Sequence, residues 1–216
     1  SSLKKKIPSN VLLFDLNFYR KPNFIIDLQT FLKLTYLLIK NKPYLTISIS
    51  PKAGFLTAIS SSIARIPFRI HWFTGQVWIS KKGLVKKFYK FLDKIIFNLS
   101  SHVLVDSHSQ RKFLLSNNIV SKNKSTVLLN GSVGGVNIKK FKFKKLNRSL
   151  KRKNLKISEN EFIFLYLGRI NKDKGIIELI EAFKKIQESH KTFLILVGPM
   201  ENNNIKNLIK SNKSII

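Results

Sequence analysis

The chain contains no cysteine, and Met200 is its only methionine. Without cysteine it can form neither a disulfide nor a thiolate metal site, and it has no cysteine nucleophile, which fits a reducing compartment such as the cytoplasm. No run reaches the roughly 18 consecutive apolar residues of a membrane span, and residues 1–6 lack the apolar segment of a signal peptide. Because the chain starts at Ser1 rather than at methionine, we expect it to be a piece of a longer protein.

Acidic residues are scarce as well, with 11 Asp and Glu against 40 Lys and Arg and a formal net charge of +29. Residues 1–158 hold 31 of the basic and 4 of the acidic residues. Such an excess attracts nucleic acid, anionic lipid or phosphorylated substrates, although a general drift toward Lys, Asn, Ile and Phe would also produce it. A nucleic-acid-binding module is the weaker alternative, because the sequence has neither zinc-ligand spacing nor the aromatic pattern of an RNA-recognition sheet.

What the chain does contain is an alternation of short apolar runs and helical patterns, which predicts an α/β fold with parallel strands covered by helices on both faces. The predicted strands are residues 11–14, 45–49, 68–73, 103–105, 126–129, 162–167 and 193–197. The predicted helices are residues 24–40, 54–64, 84–99, 110–117, 176–189 and 204–210. Residues 142–158 are basic and carry no acid, so we expect a linker there between a first domain, 1–141, and a second, 159–216.

The most informative segment joins the predicted strand 162–167 to the helix that follows it. Gly168 ends the strand, Arg169 and Lys174 follow in a loop, and a helix opens just after Lys174. Ligands of open α/β sheets bind at the carboxyl ends of strands, and a helix N-terminus adds N–H groups and a positive dipole end. Because Arg offers a planar fork and Lys a mobile point charge, the pair is suited to an anion such as a diphosphate; a solvated basic loop is the plainer alternative.

The spacing of Gly168-Arg169, four residues, Lys174-Gly175 and the later Gly198 resembles the large retaining glycosyltransferase family with the GT-B fold. This glycosyltransferase family 4-like group includes bacterial capsule, O-antigen and lipid-linked glycan transferases. The first half adds motifs that are similar to a branch handling amino-sugar or deoxysugar donors: Ser50–Gly54, Ile66–Trp78, Val103–Ser107, Leu129–Asn137 and Phe141. The resemblance runs from about residue 45 to the end.

The resemblance implies two Rossmann-like domains of GT-B type, the first acceptor-side and nearly complete, the second nucleotide-sugar-binding and truncated. It implies transfer, with retention, of a hexose or N-acetylhexosamine from a UDP-sugar to a lipid-diphosphate-linked or polysaccharide acceptor. It also implies no bound metal and no cofactor beyond this nucleotide-sugar donor. In the family, the residues matching Arg169 and Lys174 bind the donor diphosphate, and those matching Gly168 and Gly198 lie near the donor.

Further candidates for the cleft or the acceptor site lie in the first domain: Lys52, Thr74, Gly75, Asn130 and Gly131. Many relatives carry a histidine at the position of Thr74, where it lies near the reacting sugar. Because this chain has threonine there, no catalytic residue is assigned. We expect His71 to be structural, and His102 and His108 have no acidic or cysteine partners nearby that would complete a metal site. Trp72 and Trp78 are expected to be packed or rim aromatics.

Two parts of the family pattern have no counterpart in this sequence. They are the amino-terminal strand with its glycine-rich loop, and a segment with two glutamates, one of which holds the donor sugar or ribose in relatives. We therefore expect the 216-residue chain alone to lack a complete active site. An inactive truncated remnant of such an enzyme is the alternative function.

The predicted helix 84–99 is amphipathic. At about 100° per residue, Lys86, Lys87, Lys90 and Lys94 share one arc, and the apolar side chains lie on the opposite side. We expect the apolar face to pack on the core and the lysine face to meet anionic headgroups. This predicts an enzyme that is peripheral on the inner face of the cell membrane, where a lipid-linked acceptor resides.

Overall fold

The computed structural model describes residues 8–19, 22–200 and 203–216. The chain divides into two compact units, Ser1–Val136 and Asn137–Ile216. Each unit combines helices with parallel strands, which confirms the predicted α/β class. The division falls slightly before residue 141, the predicted end of the first domain. No helix in the described part of the chain has the length and hydropathy needed to cross a bilayer.

In the first unit, four parallel strands form a sheet in the order β1-β2-β3-β4. The strands are β1 Leu45–Ser48, β2 Phe68–Phe73, β3 His102–Val105 and β4 Ser125–Thr126. The helices are α1 Phe24–Asn41, α2 Pro51–Ile63, α3 Gly83–Leu99 and α4 His108–Ser116, with 3₁₀ turns at Val77–Ser80 and Lys122–Lys124. Because the strands are parallel, their carboxyl ends lie on one edge of the sheet.

The core of the first unit packs strand residues against α3, α4 and the loops beside them. Its buried side chains are Phe73, Trp78, Ile96, Val103, Val105, Leu114, Ile119 and Val120. Local caps set where two helices begin, since the side chains of Asn23 and Ser107 accept hydrogen bonds from the N–H groups of Ile26 and Gln110. Pro51, which needs no N–H partner in the first turn, opens α2.

Two predicted strands of the first unit are wrong or shortened. Residues 11–14 form no strand and are exposed, and the N–H of Val11 bonds back to the carbonyl of Pro8 in a turn. The strand expected at 126–129 ends at Thr126, and Leu129 adopts a left-handed backbone with φ of 47°, which excludes it from an extended ladder. Apolar character alone therefore did not determine pairing.

The second unit contains the parallel strands β5 Phe162–Leu167 and β6 Thr192–Val197. Its helices are α5 Lys145–Asn154, α6 Ile176–Gln187 and α7 Asn203–Lys210. Its core is formed by Ile170, Ile176, Ile180, Phe183, Leu194, Ile205 and Ile215. The strand at 162–167 and the helix beginning at Ile176 occur as the sequence predicts, so the segment between them is held at both ends.

The basic segment expected as a linker, residues 142–158, contains α5. Arg152 is buried, and its guanidinium donates to the carbonyl oxygens of Ser158 and Glu161. Arg148 forms an exposed ion pair with Glu159. These contacts tie α5 to the residues that lead into β5, so the segment belongs to the second unit.

Candidate functional site

The carboxyl edge of the first sheet gathers most of the residues predicted for the acceptor side. Lys52 follows β1, Thr74 and Gly75 follow β2, and Asn130 and Gly131 lie beyond β4. Open parallel sheets bind ligands outside this edge. The fold therefore places these candidates on the side of the first unit where a ligand is expected.

Lys52 is engaged within the fold. Its ammonium lies 2.7 Å from Oδ1 of Asp27 on α1. Although burial acts to raise the pKa of Asp27, the hydrogen bonds from Lys52 and from the N–H of Asn23 lower it below its usual value. The structure thus gives Lys52 a partner that joins α2 to α1, which weakens its assignment as a phosphate ligand.

The two glycines of this edge differ in what their backbone requires. Gly131 has φ of 93°, and a Cβ there would lie 2.3 Å from the carbonyl oxygen of Asp106, an oxygen that already accepts from the N–H of Ser132. The loop after β4 is therefore pressed against the end of β3. Gly75 has open space around it, and Thr74 and Asn130 are exposed.

Three residues that the sequence reasoning missed form a polar cluster at the same edge. Gln110 accepts from the N–H of Asp106 at 3.0 Å and donates to Oε1 of Gln76 at 3.2 Å. In the structure, Nε2 of Gln76 and Oδ1 of Asp106 are buried without a hydrogen-bond partner. The available signal was position: Gln76 and Asp106 come shortly after the predicted strands 68–73 and 103–105.

His71 lies in the sheet interior. It is buried, its Nδ1 is 2.9 Å from Oγ of Ser48, and its ring meets Phe73 edge-on. A Cβ on Gly54 would collide with this ring, so α2 packs directly on it. Burial lowers the pKa of His71 to about 4. A neutral imidazole enclosed in this way fits the predicted structural role.

The other histidines of the first unit lie apart. His102 is 2.9 Å from Oγ1 of Thr126 on the neighbouring strand, and His108 is exposed at the start of α4. Within the described ranges, no three His, Asp or Glu side chains are grouped so that they could hold a metal ion.

Trp78 fixes the loop between β2 and α3. It is 1% exposed, its indole N–H donates to Oδ2 of Asp93 at 2.7 Å, and its ring stacks on Phe113. Burial raises the pKa of Asp93 to about 6, and the hydrogen bond from Trp78 acts against this rise. Trp78 is therefore packed, which is one of the two positions expected from the sequence. It anchors the segment that carries Thr74 and Gly75.

The expected arrangement of α3 is wrong in its N-terminal half, whereas Ile96 near its C-terminus lies in the core as expected. The ammonium groups of Lys86 and Lys90 lie 6.0 and 4.8 Å from the centroid of the Trp78 ring, and Lys90 donates to Oδ1 of Asn117. These two lysines face the body of the unit because cation–π contact to Trp78 and the methylene stems favour that side. Leu84, Val85, Phe88 and Phe91, which we expected in the core, are exposed.

In the second unit, Arg169 and Lys174 lie in the loop between β5 and α6. The N–H of Gly168 bonds to the carbonyl of Val197 at 2.9 Å, and Arg169 and Ile170 follow directly. A 3₁₀ turn, Lys172–Lys174, then leads to Gly175, whose φ of 71° opens α6. Both cations thus stand between a strand end and a helix N-terminus.

The two predicted donor-side glycines touch each other through the backbone. Gly198 has φ of 149°, and a Cβ there would lie 1.8 Å from the carbonyl oxygen of Gly168. Tyr166 donates to the carbonyl of Arg169 at 2.9 Å. The loops after β5 and β6 are therefore held close together, and the backbone of Arg169 is fixed from the strand side.

Comparison with known proteins places these features in context. Residues 147–214 match the family model described as Glycosyl transferases group 1. The chain is 34% identical over 179 residues to the capsular polysaccharide biosynthesis glycosyltransferase CapM of Staphylococcus aureus, covering 82% of this chain and 47% of CapM. It is 27% identical over 186 residues to the UDP-Gal:alpha-D-GlcNAc-diphosphoundecaprenol alpha-1,3-galactosyltransferase of Escherichia coli, covering 84% and 47%. The chain thus spans about half the length of these relatives.

Solved structures show the same architecture. The Anabaena protein Alr3699/HepE, in complex with UDP, superposes with a TM-score of 0.66 at 18% identity over 87% of this chain and 50% of that one. A glycosyltransferase of Rickettsia africae superposes with a TM-score of 0.63 at 19% identity over 100% and 55%. The chain therefore has the fold of GT-B glycosyltransferases, and its residues 147–214 carry the sequence pattern of glycosyl transferases group 1.

Proposed function

We propose that this chain is part of a retaining glycosyltransferase that moves a hexose or N-acetylhexosamine from a UDP-sugar to a lipid-diphosphate-linked or polysaccharide acceptor. The similarity to CapM and to the galactosyltransferase of Escherichia coli, whose name states both a UDP-linked donor and a diphosphoundecaprenol-linked acceptor, supports this reaction. A diphosphoundecaprenol-linked acceptor belongs to a membrane. The protein therefore works as a peripheral enzyme on the inner face of the cell membrane.

The observation that carries the proposal is the β5–α6 loop. Arg169 and Lys174 approach from two points of one loop, and the N-terminus of α6 adds its dipole. A leaving UDP gains negative charge on its diphosphate as the bond to the sugar breaks. Cations and N–H groups already held at that place stabilise this developing charge.

The acceptor side rests on the polar cluster of the first unit. Nε2 of Gln76 is a hydrogen-bond donor and Oδ1 of Asp106 an acceptor, and both are buried without partners in the structure. A sugar hydroxyl accepts one hydrogen bond and donates another, so it suits such a pair. Gln110 donates to the side chain of Gln76 and accepts from the backbone N–H of Asp106, so it holds the two segments next to each other.

The proposed reaction is tested with the full-length protein that contains this chain. Purified enzyme is incubated with a panel of UDP-sugars and an undecaprenyl-diphosphate-linked N-acetylglucosamine acceptor, and the product is analysed by mass spectrometry and NMR. We expect one UDP-sugar to be consumed with addition of one sugar, and the new bond to keep the anomeric configuration of the donor. An inverted bond contradicts retention, and no product with any donor or acceptor contradicts the transferase assignment.

A further inference from the structure

The outward face of α3 is apolar. Leu84, Phe88 and Phe91 lie on one side of the helix and are 81%, 57% and 58% exposed. The opposite side carries the buried Asp93 and Ile96. Because Trp78 draws Lys86 and Lys90 toward the body of the unit, the hydrophobic row is left on the surface.

Lysines border this row, and α3 itself presents no exposed acid. Lys87 and Lys94 are exposed along one side of it, and Lys81 and Lys82 are exposed immediately before the helix. The only acid of α3 is Asp93, which is buried and bonded to Trp78. The surface therefore combines apolar bulk with positive charge, which complements an anionic lipid surface.

The position of α3 in the fold relates this surface to the proposed acceptor site. The helix follows β2 and runs back along the sheet, so its N-terminal half lies at the carboxyl edge that carries Thr74, Gly75 and the Gln76–Asp106 cluster. A contact through Leu84 and Phe88 would bring that edge to the level of the lipid headgroups.

We propose that Leu84, Phe88 and Phe91 insert into the interfacial region of an anionic bilayer while Lys81, Lys82, Lys87 and Lys94 contact the headgroups. The inference names the surface for the membrane location proposed above. Binding to vesicles requires no sugar transfer, so its test is independent of donor and acceptor. Interfacial helices bind by apolar insertion together with electrostatic attraction, and the two contributions add.

The absence of cysteine allows a direct measurement of insertion. Single variants Phe88→Cys and Phe91→Cys are labelled with an environment-sensitive fluorophore, and Lys151→Cys on α5 serves as an exposed control. We expect phosphatidylcholine–phosphatidylglycerol vesicles to shift the emission of both α3 labels to the blue, with no shift at residue 151. If vesicles leave the emission of both α3 labels unchanged, the proposal is overturned.

Flotation of the 216-residue chain with the same vesicles separates the two contributions. The triple variant Leu84→Gln, Phe88→Gln, Phe91→Gln is compared with Leu28→Gln, Leu32→Gln, Tyr36→Gln, which changes an exposed row on α1. The pair Lys87→Gln, Lys94→Gln is compared with Lys151→Gln, Lys153→Gln, which removes the same charge from α5.

We expect each α3 variant to lower vesicle partitioning by about tenfold and each control to bind as the unaltered chain does. High salt should release the unaltered chain, and phosphatidylcholine alone should bind it poorly. Equal losses of vesicle binding in the α3 and control variants would show that the chain binds through its overall composition and charge, and not through α3. A chain that is dimeric in solution and becomes monomeric in the α3 triple variant, with vesicle binding unchanged, would assign the face to a second copy. Either result overturns the proposal.

Discussion

Asp93 and His71 are titratable side chains whose pKa values are shifted in opposite directions by the same cause. Burial raises the pKa of Asp93 to about 6 and lowers that of His71 to about 4. Between pH 3.8 and 6, folded Asp93 holds a proton that the unfolded chain releases, so its contribution to stability falls as pH rises. Between pH 4 and 6.5, unfolded His71 binds a proton that the folded chain excludes, so its contribution rises with pH.

Replacing Asp93 by Asn tests the shift of Asp93. The amide oxygen can still accept from the indole N–H of Trp78, but no buried charge forms at neutral pH. We expect Asp93→Asn to raise the free energy of unfolding at pH 7 by about 1–3 kcal/mol, and the gain to vanish near pH 4, where the native carboxyl is protonated. Urea unfolding at the two pH values measures this. A variant that is destabilised at pH 7 but not at pH 4 would mean that the carboxylate is stabilising at pH 7, which contradicts the raised pKa of Asp93.

At the scale of elements, α5 shows how one side chain can hold a helix to a sheet. Arg152 is the buried residue of α5, and its guanidinium bonds to the carbonyls of Ser158 and Glu161 just before β5. We expect Arg152→Ala to lower the unfolding free energy of the second unit by about 1.5–3 kcal/mol, since hydrogen bonds from a charged donor would be lost and the carbonyls left without it. The exposed Lys153→Ala is the matched control. Equal effects in urea unfolding would contradict the anchoring role.

The elements also show where sequence patterns are sufficient to predict a strand. The runs 68–73 and 162–167 each form the strand predicted for them, because a short apolar run between two helices has few alternatives in a parallel sheet. Residues 11–14 are also apolar, but they pair with no strand in the described ranges, and the N–H of Val11 bonds to the carbonyl of Pro8. α5 was missed because a buried arginine, rather than an apolar face, attaches it.

Sequence patterns could predict neither the orientation of α3 nor the polar cluster, because both depend on contacts between separate segments. A helical wheel shows that α3 has two faces, but Trp78, from a separate turn, decides which side of its N-terminal half meets the core. Gln76, Gln110 and Asp106 come from three segments, and only pairing of β2 with β3 brings them together. The β5–α6 loop was predictable because all its parts are contiguous in sequence.

At the scale of the whole molecule, positive charge is spread over both units. Residues 1–136 carry 21 basic and 4 acidic residues, and residues 137–216 carry 19 and 7. In the second unit the excess lies in residues 137–158, which hold 10 basic residues and no acid. Long-range attraction to an anionic surface is therefore expected of both units. The matched lysine changes on α5 are what separate this general attraction from the proposed contact at α3.

The central claim is that Arg169 and Lys174 bind the donor diphosphate, and turnover of the UDP-sugar by the full-length protein tests it most directly. Each contact is charge-assisted and worth roughly 1.5–3 kcal/mol, so Arg169→Ala and Lys174→Ala should each lower kcat/KM for the donor by at least about tenfold. Lys185→Ala, an exposed lysine in the last turn of α6, should leave it unchanged. Unaltered donor kcat/KM in both loop variants, or an equal loss in Lys185→Ala, would contradict the account.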